Sequence, residues 1–383
     1  MRQRCLNTFA GAAFIPCVDG RLRHYGRLSA EAGRETRAPM GGRTTIMDIA
    51  TRAGVSFKTV SRVLNGHPRV AADLRERVLK AASDLEYRPN LAARSLAGAR
   101  HYAIAMLLAS DSVANAKSEG WYLPPFVMDL QARALVACQE QGHRFLVEII
   151  DKASPSLDAQ LSAQRLHVDG VILAPPLADN LSVLAALEHN ALPYVRISPG
   201  VELDRAPAVT ADEYGGALAM AEHLLALGHR RIGFIHGPPH HVAAARRYVA
   251  FRDALAGCPG AEEMAEAGDF TSAGGAAAAE KLLGSANPPT AIFAANDDMA
   301  AGVIAVASRR GIRVPQDLSV AGFDDSPFAR LTAPPLTTVH QPVTEMVQAA
   351  VGMLTGGEVS KDLLEMPCRV IERGSTAPAR DGP

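Results

Sequence analysis

The chain runs to 383 residues, 48% hydrophobic and 21% charged, which supplies core material for two or three globular domains and excludes a disordered or fibrous chain. Its formal net charge of −1 hides a division: the first 100 residues hold 18 basic and 8 acidic side chains, the rest 21 and 32, so one end alone suits a polyanion. Five scattered cysteines (Cys5, Cys17, Cys138, Cys258, Cys368) lack metal-ligand spacing and fit free thiols in a reducing cytoplasm, and no apolar run nears the ~20 residues that span a bilayer.

Residues 1–43 carry scattered arginines and no helical period. Asp19 and the charges from Arg21 to Arg27 interrupt any signal-peptide core, so the segment is expected to be a disordered extension, with Met40 or Met47 as candidate starts. From 44 to 88 three short helical patterns follow. Thr45-Ile46-Met47-Asp48 has capping-box spacing, with Asp48 in the place of the usual glutamate or glutamine. Ile46, Ile49, Ala50 and Ala53 form the apolar side of the helix it opens. Gly54 allows a tight turn, and Ser56 is an N-cap for a second helix, Phe57 to Leu64, with Val60, Val63 and Leu64 turned inward.

Helix, glycine turn and helix is the geometry that lays a second helix in a major groove. Phe57, Lys58, Thr59, Ser61 and Arg62 stay outward on it. Arg62 suits the edge of a guanine, and Thr59 and Ser61 suit phosphates. A bland three-helix bundle with a solvated polar face fits the same pattern. Residues 89–100, with Pro89 and Gly98, read as a connector.

Beyond it, apolar runs at 102–109, 143–150, 169–175, 193–198, 231–237, 291–297 and 318–325 read as strands. Helical stretches lie between them, at Phe126 to Gln141, Tyr214 to Leu227, Arg246 to Ala256 and Met299 to Arg310 among others. Gly142, Gly228 and Gly311 close helices where a left-handed residue is wanted. The alternation predicts parallel sheet covered on both faces and too long for one compact sheet, hence two α/β lobes with a ligand beyond the strand ends.

Three linked motifs carry a resemblance. The AGVS turn, TVSRVLN and YRPN-x-x-AR-x-L, in order within 44–98, resemble the headpiece of the LacI/GalR (lactose-repressor) family. That resemblance implies sequence-specific DNA binding by an all-α helix-turn-helix domain at 44–88. Phe57, Lys58 and Arg62 then read bases, and Thr45, Ser56, Thr59, Ser61, Asn65, Asn90, Ala93 and Arg94 complete the DNA-contacting set. Asn90 to Gly98 is implied as a hinge helix that folds on the operator, with Leu96 as an apolar wedge that unstacks a base step in the minor groove. Ala71 departs from the family, which starts its third helix with a hydroxyl cap.

The resemblance continues from 102 to about 373 through ADEYGGALAMAEHLLALGHRRIGFI, the AND at 295–297, VPQDLSVAGFDD and PPLTTVHQP. It implies a two-lobed α/β effector domain like the periplasmic sugar-binding proteins, with lobes of about 102–209 with 339–369 and 210–338 with the tail. Arg247, Asn296, Asp324 and Gln341 fall at its polar ligand positions and Phe270 at its stacking position. Asp111 follows the first strand, and Trp121 and Tyr122, in an unusual loop, are further candidates for effector contact. Each alone reads as readily as a surface charge, a helix cap or core. The implied partners are a palindromic operator duplex and a small-molecule effector, expected to be a neutral mono- or disaccharide, acting on a homodimeric repressor without cofactor.

A nucleoside or purine is the alternative effector. Ala243 and His241 stand where purine-responsive members carry threonine and arginine, and alanine offers no side-chain hydrogen bond. A periplasmic-type sugar-binding protein would lack the headpiece. An enzyme is disfavoured, since His236, His240 and His241 lack helical H-E-x-x-H spacing and no P-loop or nucleophile–base pair stands out. The tail 374–383 holds no leucine heptads and is expected to be flexible, arguing against a coiled-coil tetramer.

Overall fold

Three helices, α1 (Ile46–Ala53), α2 (Phe57–Leu64) and α3 (Ala72–Asp84), build the first unit of the chain. The computed structural model describes residues 44–64, 67, 69–87, 100–110, 123–239, 241–356 and 363–380, and the chain divides into units at 1–88 and 89–383. The expected extension at 1–43 and connector at 89–100 therefore lie almost wholly outside the described residues.

In the first unit the capping box forms as the sequence requires. The Thr45 backbone N–H donates to Asp48 Oδ2 at 2.7 Å, and the Asp48 N–H donates to Thr45 Oγ1 at 3.4 Å. Gly54 closes α1 at φ 63°, and Ser56 Oγ accepts from the Thr59 N–H at 3.1 Å. Ile49, Ala50, Ala53, Val60, Val63, Val78 and Ala81 bury against one another as the core, on the 3.6-residue stripe each helix presents. Ala71 caps α3 without a side-chain hydrogen bond. Ala71→Ser is expected to add about 1 kcal/mol to the stability of this unit; an unchanged urea midpoint for the headpiece transition would show that Ala71 is not limiting.

The second unit carries twelve strands among the described residues. In chain order it runs β1 (Ala103–Ala109), α4 (Pro125–Glu140), β2 (Arg144–Ile150), the short α5 (Leu157–Gln160) and α6 (Ala163–Leu166), β3 (Gly170–Leu173), α7 (Leu181–His189), β4 (Tyr194–Ile197) and β5 (Ala208–Ala211). Then come α8 (Glu213–Ala226), β6 (Arg231–Ile235), α9 (Val242–Ala256), β7 (Glu262–Glu266), α10 (Ser272–Leu283), β8 (Ala291–Ala294), α11 (Asp297–Arg309) and β9 (Ser319–Ala321). The chain closes with β10 (Thr338–His340), α12 (Val343–Thr355), β11 (Leu363–Met366) and β12 (Arg369–Ile371).

Six parallel strands in the order β11-β5-β4-β3-β1-β2 make the first sheet, and four in the order β7-β6-β8-β9 make the second. β10 and β12 pair antiparallel. Both sheets bury apolar strands under helices, as with Val171, Ile172 and Leu173 in the first and Ile292, Phe293 and Ala294 in the second. The order of each sheet reverses direction, beside β1 in one and beside β6 in the other, and loops from neighbouring strand ends diverge there to leave a crevice.

The described part of the tail departs from the expectation of flexibility. Ser375 is fully buried, its Oγ donating to Val320 O at 2.6 Å and accepting from the Thr337 N–H at 2.7 Å. Ala377 O accepts from Ser319 Oγ, and the Ala379 N–H donates to Leu227 O at 2.7 Å. Small residues without an apolar period hide this in the sequence, because backbone and hydroxyl hydrogen bonds do the fastening.

Candidate functional site

Two sites are built from the residues singled out in the sequence, one on each unit. On α2, Phe57 (50% exposed), Lys58 and Arg62 face outward with no partner drawing them into the headpiece core. Ser56 and Thr59 share a hydroxyl–hydroxyl hydrogen bond at 2.9 Å. The Thr45 hydroxyl bonds Asp48 Oδ2 at 2.7 Å, so it serves the cap of α1 first. Ser61 is half-buried. Asn65, Asn90, Ala93, Arg94 and Leu96 lie outside the described residues.

The second site is a cavity of about 330 Å³, within the ~300–1,000 Å³ usual for small ligands. Pro175, Pro176 and Ser198 reach it from the ends of β3 and β4, and Pro124 to Val127 from the start of α4. From the second sheet come Pro238, His241, Ala243 and Arg247, at and beyond the end of β6, with Phe270 after β7 and Asn296 after β8. Glu213 and Asp324 complete the wall.

Arg247 is the centre of its electrostatics and is 4% exposed. Its Nε donates to Glu213 Oε2 at 2.7 Å, its Nη1 to Ala295 O, and Asp324 Oδ1 lies 3.5 Å from Nη1. The guanidinium also stacks over the Phe323 ring, with Cζ 3.7 Å from the centroid. Burial alone would push its pKa down; the Glu213 and Asp324 carboxylates hold it above the ordinary value.

Asp324 leaves β9 at φ 114°, outside the region that side-chain-bearing residues favour, and its Oδ1 accepts from Gln341 Nε2 at 2.7 Å. Burial pushes the Asp324 carboxyl well above the usual range, against the pull of Arg247, and the nearby Asp297 and Glu213 add to the rise. Asp297, buried at the start of α11, is pushed up to about 7 by burial although Thr338 Oγ1 and the Ser326 N–H both donate to it. His241 is lowered to about 4 by burial and by Arg247, with Asp179 pulling the other way.

Asn296 caps α11 through Oδ1, which accepts from the Met299 N–H at 3.0 Å, while Nδ2 donates to Phe270 O at 3.1 Å. Phe270 sits at φ 68°, and its ring meets His241 edge-on with centroids 4.9 Å apart. Ser198 Oγ is buried without a hydrogen-bond partner and lines the cavity, and Gln341 Oε1 is likewise orphaned.

Four of the sequence candidates, Arg247, Phe270, Asn296 and Asp324, are thus brought round one cavity. Gln341 reaches it only through Asp324 and lines a neighbouring polar cavity instead. Asp111, Trp121 and Tyr122 lie outside the described residues. Sequence reasoning passed over Glu213, which reads as an ordinary first-turn acid beside its cap Asp212, and over Ser198, since a lone serine after a strand carries no signal.

Comparison with known proteins bears on both sites. A model described as bacterial regulatory proteins, lacI family, matches residues 45–90, and one described as a periplasmic binding protein-like domain matches 221–376. The chain is 34% identical over 345 residues to the HTH-type transcriptional regulator DegA of Bacillus subtilis (strain 168), covering 88% of this chain and 99% of that protein. Among solved structures, the transcriptional regulator CelR–cellobiose complex aligns with TM-score 0.61 and 33% identity over 87% of this chain and 100% of that one. The lac repressor dimer bound to operator and the anti-inducer ONPF aligns with TM-score 0.61 and 28% identity over 88% and 100%.

Proposed function

Because this chain belongs to the lacI family of bacterial regulatory proteins and is a helix-turn-helix transcription regulator, we propose that its effector is a neutral saccharide and that the saccharide controls a homodimer on a palindromic operator. The observation that carries the effector class is the compensation of Arg247. Its charge is balanced by Glu213 and Asp324, with Nε and Nη1 engaged by Glu213 and Ala295 O, so no unpaired cation waits for a carboxylate or phosphate. The cavity offers acceptors and amides for hydroxyl groups, an orphaned Ser198 Oγ, and a hydrophobic wall of prolines and Phe270 against which a sugar ring packs. Ala243, buried at the wall, presents a methyl group where a purine edge would need a hydrogen bond.

On the DNA side, Phe57, Lys58 and Arg62 read the major groove, with Thr45, Ser56, Thr59 and Ser61 at the phosphates. Asn65, Asn90, Ala93 and Arg94 extend the interface, and Leu96 enters the minor groove. Asp111, Trp121 and Tyr122 are proposed as further effector contacts. The regulator works in the cytoplasm as a repressor, and saccharide favours the form that leaves the operator, a coupling of ~1–3 kcal/mol in such systems.

A thermal-shift series with the full chain tests the effector class. A neutral mono- or disaccharide at 100 times its Kd should add ~2.7 kcal/mol to stability. A shift produced only by a sugar phosphate, a sugar acid or a purine base would overturn it. For the wedge, Leu96→Ala should weaken binding to a selected palindromic duplex about tenfold or more while sparing random duplex. Equal loss on both duplexes would remove Leu96 from the minor groove.

A further inference from the structure

Arg196 lies on β4, inside the first sheet, and is 0% exposed. A guanidinium has no apolar reason to be there. Its Nε donates to Ala178 O at 2.7 Å and its Nη1 to Glu202 O at 2.6 Å, while Nη2 donates to Val201 O at 2.6 Å and to Asp179 Oδ1 at 3.0 Å. Asp179 in turn accepts the Gly200 N–H at 2.8 Å and the Val201 N–H at 3.3 Å. The ion pair therefore fastens Gly200, Val201 and Glu202 of the turn 198–202 to the segment that follows Pro175 and Pro176. The turn needs fastening, since Ser198 and Glu202 both hold left-handed backbone, at φ 47° and 44°.

What the fastened turn touches belongs to the other sheet. A Cβ built on Gly200 would come within 2.2 Å of Val242 Cγ2 and 2.4 Å of Val242 Cβ. Val242 is the first residue of α9, between His241 and Ala243 of the cavity wall and one turn before Arg247. Gly200 is thus the point at which one sheet's loops rest on the other beside the cavity, and glycine is there because no larger residue leaves room.

We propose that Arg196, acting with Asp179, is a positioning residue of the effector cavity: the pair holds the turn 198–202 against the start of α9 and so sets how far the two sheets close over a bound saccharide. This rests on the saccharide reading only for the identity of what is enclosed. Neither residue touches ligand; the pair fixes the spacing across which ligand must reach Ser198 on one side and Arg247 on the other.

Gly200→Ala tests this in the full-length protein, since its methyl group wedges the contact without touching the ion pair. The variant should melt several degrees lower, as overpacking requires, and at a temperature where it and the parent are both folded it should bind the saccharide that gave the largest thermal shift about tenfold more weakly and show faster hydrogen exchange over 242–246. Adding Val242→Gly strips the three atoms nearest the new methyl and should restore both readouts. Arg196→Met should weaken binding at least as much and expose the Gly200 and Val201 amides to exchange. Should it fail to fold, the Gly200 and Val242 pair still decides the matter. Unchanged binding and exchange in Gly200→Ala, or loss that Val242→Gly does not repair, would overturn the proposal. If no saccharide binds even the parent protein, the saccharide reading fails, while the exchange result across Gly200→Ala and its Val242→Gly partner still upholds or overturns the closure contact.

Discussion

Arg247→Ala is expected to lower the stability of the effector-binding unit by about 3–5 kcal/mol, the usual cost of removing one partner from a buried ion pair. The residue left behind is Glu213, 2% exposed, with its oxygen 2.7 Å from a vanished Nε. Asp324, whose carboxyl pKa burial already pushes upward, loses its cation too. Ala295 O loses a donor, and the Phe323 ring loses the cation stacked on it. The same change should abolish the response to saccharide, since the cavity then has no donor fork at its centre.

The two losses separate in a double variant. Arg247→Met with Glu213→Gln keeps the volume and removes the orphaned charge, so most of the stability should return while saccharide response stays absent. Urea unfolding and operator shift assays on the full chain measure the two, at a temperature where all variants are folded. Operator affinity without effector should match the parent. A single variant costing under about 1 kcal/mol would mean that the pair is solvated, and a persisting response would place the effector elsewhere.

Acid sensitivity supplies the second large effect. His241 is held neutral, with a pKa near 4 against an ordinary 6.5, because it is buried with Arg247 on its own helix and Phe270 across from it; Asp179, facing it from the first sheet, offsets part of this. The unfolded chain binds the proton more readily between those two values. Stability from this group is therefore complete above pH 6.5 and drains away as pH falls towards 4. At pH 5 the loss comes to about 2 kcal/mol, and it approaches about 3 kcal/mol at lower pH. Asp297 and Asp324, whose pKa values are raised, act in the opposite direction. They are common to both proteins if the parent is compared with His241→Gln. The stability difference between these two should shift by about 2 kcal/mol between pH 7.5 and pH 5 in favour of the variant. A difference independent of pH would show that His241 is open to water.

Much of the architecture was legible because burial on both faces forces continuous apolar strands. All seven predicted runs contain a strand, and Gly142, Gly228 and Gly311 do hold left-handed backbone, at φ 69°, 88° and 71°. The run at 318–325 is instructive, because only Ser319–Ala321 is strand and the remainder bends out to present Asp324. Strands β5, β7, β10, β11 and β12 lie outside the predicted runs. In β7, Glu262, Glu263 and Ala265 face solvent, and β11 has Leu364 and Glu365 exposed, so neither shows the apolar run of a central strand. Motif resemblance gathered Arg247, Phe270, Asn296 and Asp324 but could not supply Glu213 or Arg196. Those are visible only as partners in space, 34 and 17 residues from the groups they hold.

The pinned tail and β11 also govern the order in which the protein can be made. A ribosome delivers the headpiece first, and its core packs within residues 46–87 among the described residues. The first sheet, by contrast, lacks its edge until residues 363–366 pair with β5, and the second waits for Ser375 to reach Val320. Both lobes therefore mature only as synthesis finishes, leaving nascent strand edges that invite chaperones. A message cut short near its 3′ end would yield the headpiece helices attached to a body whose first sheet lacks its edge strand and whose second lacks its clasp.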